Sequence, residues 1–436
     1  MDETTFERAK ALFIEGVTHL EAGAAAAAER CFEASLALVP ERASTLVNLG
    51  SARLQLGKVE QALRALDQSL TLDDEQPDAW CQRGLALARL GRVADSVASF
   101  ERALALDDGC QPARFHLGCM LNEQRRHAQA LAVFERLLAD DAASGAAWFR
   151  HGQTLQALDR HAQALQSYDR ALALDAAQPQ AWINRGGILR EAGSHAQAAA
   201  AYRQALAHGG NAELIQFFLA AVEQQTAPKA PPRDHVQGLF DDYAGQFDAH
   251  LLQVLHYRGH EVLVDELRQV AGTRRFVHTL DLGCGTGLCG LQLKTLAERI
   301  DGVDLAANML AQARARNLYD HLTHADVASY LASTERRYDL IVAGDVFTYV
   351  GDLDAVFAGA TRVLQAGGLF AFSVEAAEDD GERDVVLRGS LRYAHSRRYL
   401  ETVAERHGLA VRRLTRQPFR DDQRTMMQAW YGVLSR

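Results

Sequence analysis

Aromatic side chains account for only 7% of the 436 residues, and proline occupies only eight positions. Ala and Leu dominate the first half instead, and these strong helix formers with few interruptions predict a helical region there. Basic residues are in deficit, 46 Lys and Arg against 56 Asp and Glu, for a net charge of −10. That balance speaks against a general electrostatic grip on nucleic acid or on an anionic membrane. No run reaches the ~20 consecutive apolar residues of a membrane span. The acidic opening MDETTFERAK lacks the basic-then-apolar order of a secretory leader. The six cysteines (Cys31, Cys81, Cys110, Cys119, Cys284 and Cys289) form no C-x-x-C pair. Most sit in apolar helical patterns, where cysteine acts as a small hydrophobe. Neither a disulfide framework nor a metal centre is expected, and a reducing cytoplasm is the simplest setting. What remains, 48% apolar and 23% charged, is the composition of a folded globular protein. At roughly 150 residues per domain the length suggests about three domains.

The first half is periodic. Gly16, Gly50, Gly84, Gly118, Gly152 and Gly186 lie 34 residues apart without an insertion. Twelve residues after each comes a small residue (Ala28, Ala62, Ser96, Ala130, Ala164, Ala198), and four further on a large one (Phe32, Leu66, Phe100, Phe134, Tyr168, Tyr202). Packing explains the spacing. A glycine facing an alanine lets two antiparallel helices approach closely, and the large residue fills the groove toward the next pair. Trp80, Trp148 and Trp182 read as core anchors, and Pro40, Pro77, Pro112 and Pro179 mark unit boundaries. His127, His161 and His195 also recur at 34 residues. A shared metal would need its ligands within ~2.1 Å of itself. Equivalent positions in successive repeats cannot meet that, so these histidines are expected as solvated residues at helix starts.

This pattern resembles the tetratricopeptide repeat family, with six repeats over roughly residues 9–212. A capping helix over 213–225 would carry Leu214, Phe217, Phe218 and Val222. In resembling repeats the first helix of each pair lines a concave groove, and some members clamp a C-terminal carboxylate there with Lys, Arg and Asn. The corresponding positions are Val47, Cys81, Phe115, Phe149 and Ile183, then Ser51, Leu85, Cys119, Gln153 and Gly187 one turn on. With the clamp missing, the resemblance implies an uncharged or apolar groove for a protein or peptide partner, or for the chain's own second half.

Residues 226–233, T-A-P-K-A-P-P-R, hold three of the eight prolines and read as a short, stiff linker. A repeat domain is thus expected at 1–225 and a second domain at 234–436. Residues 234–270 read as helical. Strands are expected at 276–282, 300–305, 322–326, 339–343, 369–374, 410–414 and 426–434, the first six separated by helical patterns. That alternation implies right-handed crossovers and a mainly parallel sheet covered on both faces. Only a loop at 415–425 joins the last two strands, too short for a parallel crossover, so they should form an antiparallel hairpin. The expected fold class is an all-α repeat solenoid followed by an α/β, Rossmann-like domain with a mainly parallel seven-stranded sheet.

The run T-L-D-L-G-C-G-T-G, from Thr279 to Gly287, follows the first expected strand and opens a helix. Glycine suits a tight exit from a strand where a ligand approaches the backbone. Free N–H groups at a helix start bind polar or anionic groups. Gly285, Gly287 and Gly290 also match the G-x-G-x-x-G dinucleotide fingerprint, with Asp304 ending the second strand about 20 residues on. Asp281 argues against that reading, because its carboxylate would repel a pyrophosphate and suits a cationic cofactor.

The D-L-G-C-G-T-G run is followed in order by G-V-D-L-A-A-N-M-L (302–310), A-D-V (325–327), D-L-I-V-A-G-D-V (339–346) and G-G-L-F (367–370). Together they resemble the class I methyltransferases that use S-adenosylmethionine, and the chain as a whole resembles bacterial-type methyltransferases carrying tetratricopeptide repeats. The resemblance implies that Gly283, Cys284, Gly285 and Gly287 wrap the methionine part and that Asp281 anchors its ammonium. It also implies that Asp304 accepts from the ribose hydroxyls, that Leu305 and Met309 cover the adenine, and that Asp326 accepts from the adenine amino group beside Val327. Asp345 would end the fourth strand near the transferred methyl group. Candidate bases for a hydroxyl or amine acceptor are Tyr243, Tyr349, Glu375 and His395, whereas an ionised carboxylate needs none. Phe240, Tyr243 and Phe247 fit either a lead segment closing over the cofactor or an ordinary packing face. Arg392 could hold a substrate carboxylate, while residues 392–396 read equally as a polar loop with Ser396 capping the next helix.

The expected protein is therefore an S-adenosylmethionine-dependent methyltransferase whose repeats recruit a protein or peptide partner. Two alternatives stay open. One is a small-molecule or carrier-bound carboxylate methyltransferase whose repeats serve assembly only, and the lead segment resembles enzymes that esterify a malonyl group on a carrier protein. The other is a non-enzymatic cofactor-binding scaffold.

Overall fold

Helices follow the 34-residue period in successive pairs: Glu3–Glu21 and Ala25–Leu38, Ala43–Gln55 and Val59–Leu72, Pro77–Arg89 and Val93–Leu106, Gln111–Glu123 and His127–Asp140, Gly145–Ala157 and His161–Leu174, Pro179–Glu191 and His195–Ala207. A thirteenth, Ala212–Glu223, closes the series. The computed structural model describes residues 3–377, 383–422 and 425–436. The chain divides into two compact units, Met1–Ile188 and Leu189–Arg436, so the last repeat's second helix and the closing helix belong to the second unit. Among the described residues no helix is long and apolar enough to cross a membrane.

In the first unit the large residue of each repeat lies directly over the glycine sixteen positions before it. A Cβ would stand 2.6 Å from Phe100 at Gly84, 2.5 Å from Phe134 at Gly118 and 2.7 Å from Tyr168 at Gly152. The large side chain thus covers the glycine itself, where the spacing alone had suggested the groove toward the next pair. The small residue touches the same backbone, since Ser96 Oγ donates to the Gly84 carbonyl at 2.8 Å. Phe32, Phe100, Phe134 and Tyr168 are completely buried. One large side chain per repeat, a ring in all but the Gly50–Leu66 pair, is seated on a glycine and fills the interior, which is why few aromatics suffice. The indole N–H groups of Trp80, Trp148 and Trp182 donate at 2.8, 2.9 and 3.0 Å to carbonyls six residues earlier, pinning the turns between repeats. His127, His161 and His195 each begin a helix. Of the expected groove residues, Val47 and Cys81 are buried and Phe115, Phe149 and Ile183 are half-buried.

In the second unit, four helical segments after the closing helix, Arg233–Tyr243, Phe247–Ala249, His250–Val254 and Gly259–Ala271, lead into nine strands among the described residues. These are β1 (Phe276–Leu282), β2 (Ala297–Asp304), β3 (His321–His324), β4 (Tyr338–Ala343), β5 (Leu364–Ala376), β6 (Val385–Leu387), β7 (Tyr393–His395), β8 (Ala410–Asp422) and β9 (Thr425–Ser435). The parallel order is β3-β2-β1-β4-β5, with β9 antiparallel to both β5 and β8. Beyond the seven expected strands, the three-residue β7 runs parallel to the end of β5, and β6 pairs antiparallel with β7. Segment 415–425, expected as a loop, is mostly strand, because β8 continues to Asp422. Pro418 obscured this: it sits where the register to β9 shifts, a bulge position at which a missing N–H is tolerated. Alternate residues of the central strands face two apolar layers. Leu280, Ile341 and Phe370 lie on one side, and Leu340, Val342 and Ala371 lie on the other. Both faces of the sheet are therefore covered, and polar groups collect at strand ends.

Candidate functional site

The C-terminal ends of β1, β2 and β4 open on a cavity of about 960 Å³, at the upper end of the range for ligand pockets. The loop after β1 carries positive φ at Gly283 (62°), Gly285 (54°) and Gly287 (96°). A Cβ on Gly285 would meet nothing within 4 Å, so its backbone faces open space. Asp304, at the end of β2, holds that loop in place. Its carboxylate accepts from the N–H of Gly285 and of Ala306, both at 2.8 Å. Burial raises the Asp304 pKa, and these N–H groups oppose the rise. Cys284, Leu305, Met309, Asp326, Val327 and Asp345 also line the cavity. Asp326 additionally caps the helix Val327–Ser333, accepting from the Ser329 N–H at 2.9 Å.

Two of the cofactor-side residues expected from sequence stand off the wall. Gly287 is flanked by Arg316 and Tyr319, each 3.2 Å from a would-be Cβ. Asp281 is almost completely buried, and the Tyr319 hydroxyl donates to its Oδ2 at 2.7 Å. Burial pushes its pKa up to about 7 despite that hydrogen bond.

The candidate bases separate as well. Tyr243 and Tyr349 are on the cavity wall. The Tyr243 hydroxyl meets His250 Nδ1, and the Tyr349 hydroxyl accepts from Arg392 Nε at 3.3 Å. His395 is not brought to the cavity. It lies fully buried on β7 with Nε2 3.0 Å from the Gly351 carbonyl, and burial pushes its pKa down to about 4. Segment 392–396 is thus a short inward-facing strand followed by a cap, with Ser396 Oγ accepting from the Tyr399 N–H at 3.0 Å. Glu375 is likewise off the wall, ion-paired with Arg420 and, at 3.1 Å, with Arg388.

Several residues of the site were not singled out by the sequence. Arg420 is buried on β8, lines the cavity, and donates through Nη1 to Asp345 at 3.1 Å. Asp345 itself takes a left-handed backbone, φ 59°, secured by its N–H donating to Ser373 Oγ at 3.0 Å. Asp248 accepts from the Thr286 hydroxyl at 2.5 Å and pairs with Arg316, while Asp241 accepts from the Asn308 N–H at 2.8 Å. These two acids tie segment 240–249 to the glycine loop and to the helix after β2. Phe240, Tyr243 and Phe247 therefore belong to both readings, since Phe240 and Phe247 pack against Ala306 and Met309 and all three line the cavity. The visible signal was the spacing of acids among aromatics in F-D-D-Y-A-G-Q-F-D.

Residues 280–372 match the family model of a methyltransferase domain, and segments between 13 and 213 match that of a tetratricopeptide repeat. The chain carries tetratricopeptide repeats and a methyltransferase domain. Among relatives of the latter, a malonyl-[acyl-carrier protein] O-methyltransferase of Enterobacter lignolyticus is 30% identical over 34% of this chain and 61% of its own length. The biotin biosynthesis bifunctional protein BioHC of Saccharophagus degradans is 32% identical over 37% of this chain and 27% of its own. The chain thus spans less than two thirds of either relative. Among solved structures, MamA of Desulfovibrio magneticus is similar at 23% identity and a TM-score of 0.37, over 38% of this chain and 94% of that one.

The methyltransferase domain is of the class that uses S-adenosylmethionine, and the cavity fits that cofactor. The N–H groups of Gly285, Ala306 and Leu305 occupy three of the four acceptor positions on the Asp304 carboxylate and leave one for a hydroxyl donor. Leu305 and Met309 offer apolar surface beside it, and the open space over Gly285 admits a ligand against the backbone.

Proposed function

We propose that this chain transfers the methyl group of S-adenosylmethionine to a carboxylate borne by a protein partner, which the tetratricopeptide repeats recruit. Arg392 carries this reading. It lines the cavity, and among the described residues no carboxylate pairs with it, whereas Arg388 and Arg420 are engaged by Glu375 and Asp345. Burial works to lower its pKa, but Tyr349, Asp345 and Glu375 hold it above the usual value, so the guanidinium stays charged. A charged fork on a ligand cavity without an acid partner suits a planar carboxylate.

The cofactor supplies an activated methyl on a sulfonium, which leaves the protein alignment and exclusion of water as its tasks. Asp304 and the glycine loop orient one side, and Phe240, Tyr243 and Phe247 keep water out. Arg392 with Tyr349 would aim a carboxylate oxygen. An ionised carboxylate attacks without a general base, in keeping with a site whose Glu375 is ion-paired and whose His395 stands off the wall. The likeness to malonyl-[acyl-carrier protein] O-methyltransferases supports a carrier-bound acceptor of this class.

Labelled methyl transfer from S-adenosylmethionine to a malonyl-carrier protein, to free carboxylates and to fractionated cell extract tests the proposal. Arg392→Met should raise the acceptor KM by about 30-fold or more while leaving cofactor affinity unchanged. Label confined to small metabolites, or an Arg392→Met enzyme that turns over like the wild type, would overturn it.

A further inference from the structure

We infer that Phe217, on the helix that closes the repeats, is a positioning residue for the acceptor side of the cavity, acting on Arg392 through Tyr393. This rests on Arg392 being the carboxylate anchor. Phe217 and Tyr393 are both buried, with ring centroids 6.4 Å apart. Arg392 directly precedes Tyr393, the first residue of β7, so a shift of the Tyr393 ring passes through a single peptide unit to Arg392. The Tyr393 hydroxyl is buried without a hydrogen-bond partner. Packing alone therefore holds this ring in place.

Two neighbours supply packing. One is Phe217, itself 6.2 Å from His235. Another is Gly351, where a Cβ would come within 2.6 Å of both the Tyr393 ring and the Pro228 carbonyl, and 2.9 Å from that of Lys229. The stretch expected as a plain linker is thus laid against the site. The Lys229 carbonyl accepts from the Asp352 N–H at 2.8 Å, and Lys229, Ala230 and Pro231 line the cavity. The β6–β7 hairpin that presents Arg392 is held at both ends by the last repeat region. Arg190 donates to the Gly389 carbonyl, and Arg383 donates to the Gln224 carbonyl at 2.6 Å. The end of the repeat series and the 228–233 strap therefore form a working wall of the acceptor site.

The test uses the full chain with Phe217→Ala, Phe217→Leu and Gly351→Ala. Three quantities are read: amide hydrogen exchange across residues 385–395, affinity for S-adenosylhomocysteine, and kcat and KM with malonyl-carrier protein. Phe217→Ala and Gly351→Ala should each speed exchange in that segment and raise KM about tenfold, with kcat and S-adenosylhomocysteine affinity changed less than about twofold. Phe217→Leu, which keeps apolar volume, should recover most of both effects. Unchanged exchange at 385–395 would overturn the inference. So would exchange quickened throughout the methyltransferase domain together with lost S-adenosylhomocysteine binding, which is the outcome of a merely structural role. A wild type inactive on malonyl-carrier protein would count against the proposed acceptor, while the exchange and affinity readouts would still decide the role of Phe217.

Discussion

Asp281 offers the sharpest measurement on this molecule. Its carboxyl is buried beneath the glycine loop with one hydrogen bond, from Tyr319, and its pKa rises from 3.8 to about 7. At about 1.36 kcal/mol for each pKa unit, ionising it in the folded protein costs about 4 kcal/mol more than in the unfolded chain. The native state holds the proton over a range in which the unfolded state has lost it. Stability from this group is therefore full below pH 4, declines between about pH 4 and 7, and is wholly lost above. Asp281→Asn removes the charge at nearly constant shape. Without cofactor, the substitution should stabilise the second unit by about 4 kcal/mol at pH 8 and by less than about 2 kcal/mol at pH 5. For a unit of this size that raises the midpoint at pH 8 by roughly 8–16 °C. Thermal unfolding of the full chain at both pH values, following the transition of the second unit, is the assay. A gain equal at both pH values, or none at pH 8, would refute the argument. The same substitution should weaken cofactor binding if the Asp281 charge serves the ammonium group. Retaining a costly charge for a ligand is a familiar trade of stability for function.

Two further outcomes follow from the geometry. Gly118→Ala would bring a Cβ within 2.5 Å of the buried Phe134 ring, and overpacking of that kind should destabilise the repeats by about 1–3 kcal/mol in thermal unfolding. An unchanged midpoint would show that the ring shifts freely. Asp304→Ala strips the acceptor from the Gly285 and Ala306 N–H groups and should lower S-adenosylmethionine affinity at least tenfold by calorimetry. Equal affinity would remove Asp304 from the cofactor site.

Legibility in the sequence varied with the range of the interaction. The glycine loop and Asp304 were visible because a strand, a tight turn and a helix start are specified by residues next to one another. Arg420 was invisible: Pro418 made its strand look like a loop, and its partners Asp345 and Glu375 lie 75 and 45 residues away. His395 looked available because a lone polar residue in a polar run carries no sign of burial, yet β7 turns it inward.

Sequence by itself determined the repeat architecture, the order of the seven main strands and the place of the glycine loop, because periodic packing and local turn chemistry repeat over a few to a few tens of residues. Only the tertiary structure decided which charges are spent and which are free. Glu375 is locked by two arginines, Asp281 is sealed under Tyr319, and Arg392 lines the cavity with no carboxylate paired to it among the described residues. The linker against Gly351 belongs to the same class of fact. Such pairings depend on which distant segments the folded core brings together, and no local pattern in the chain records them.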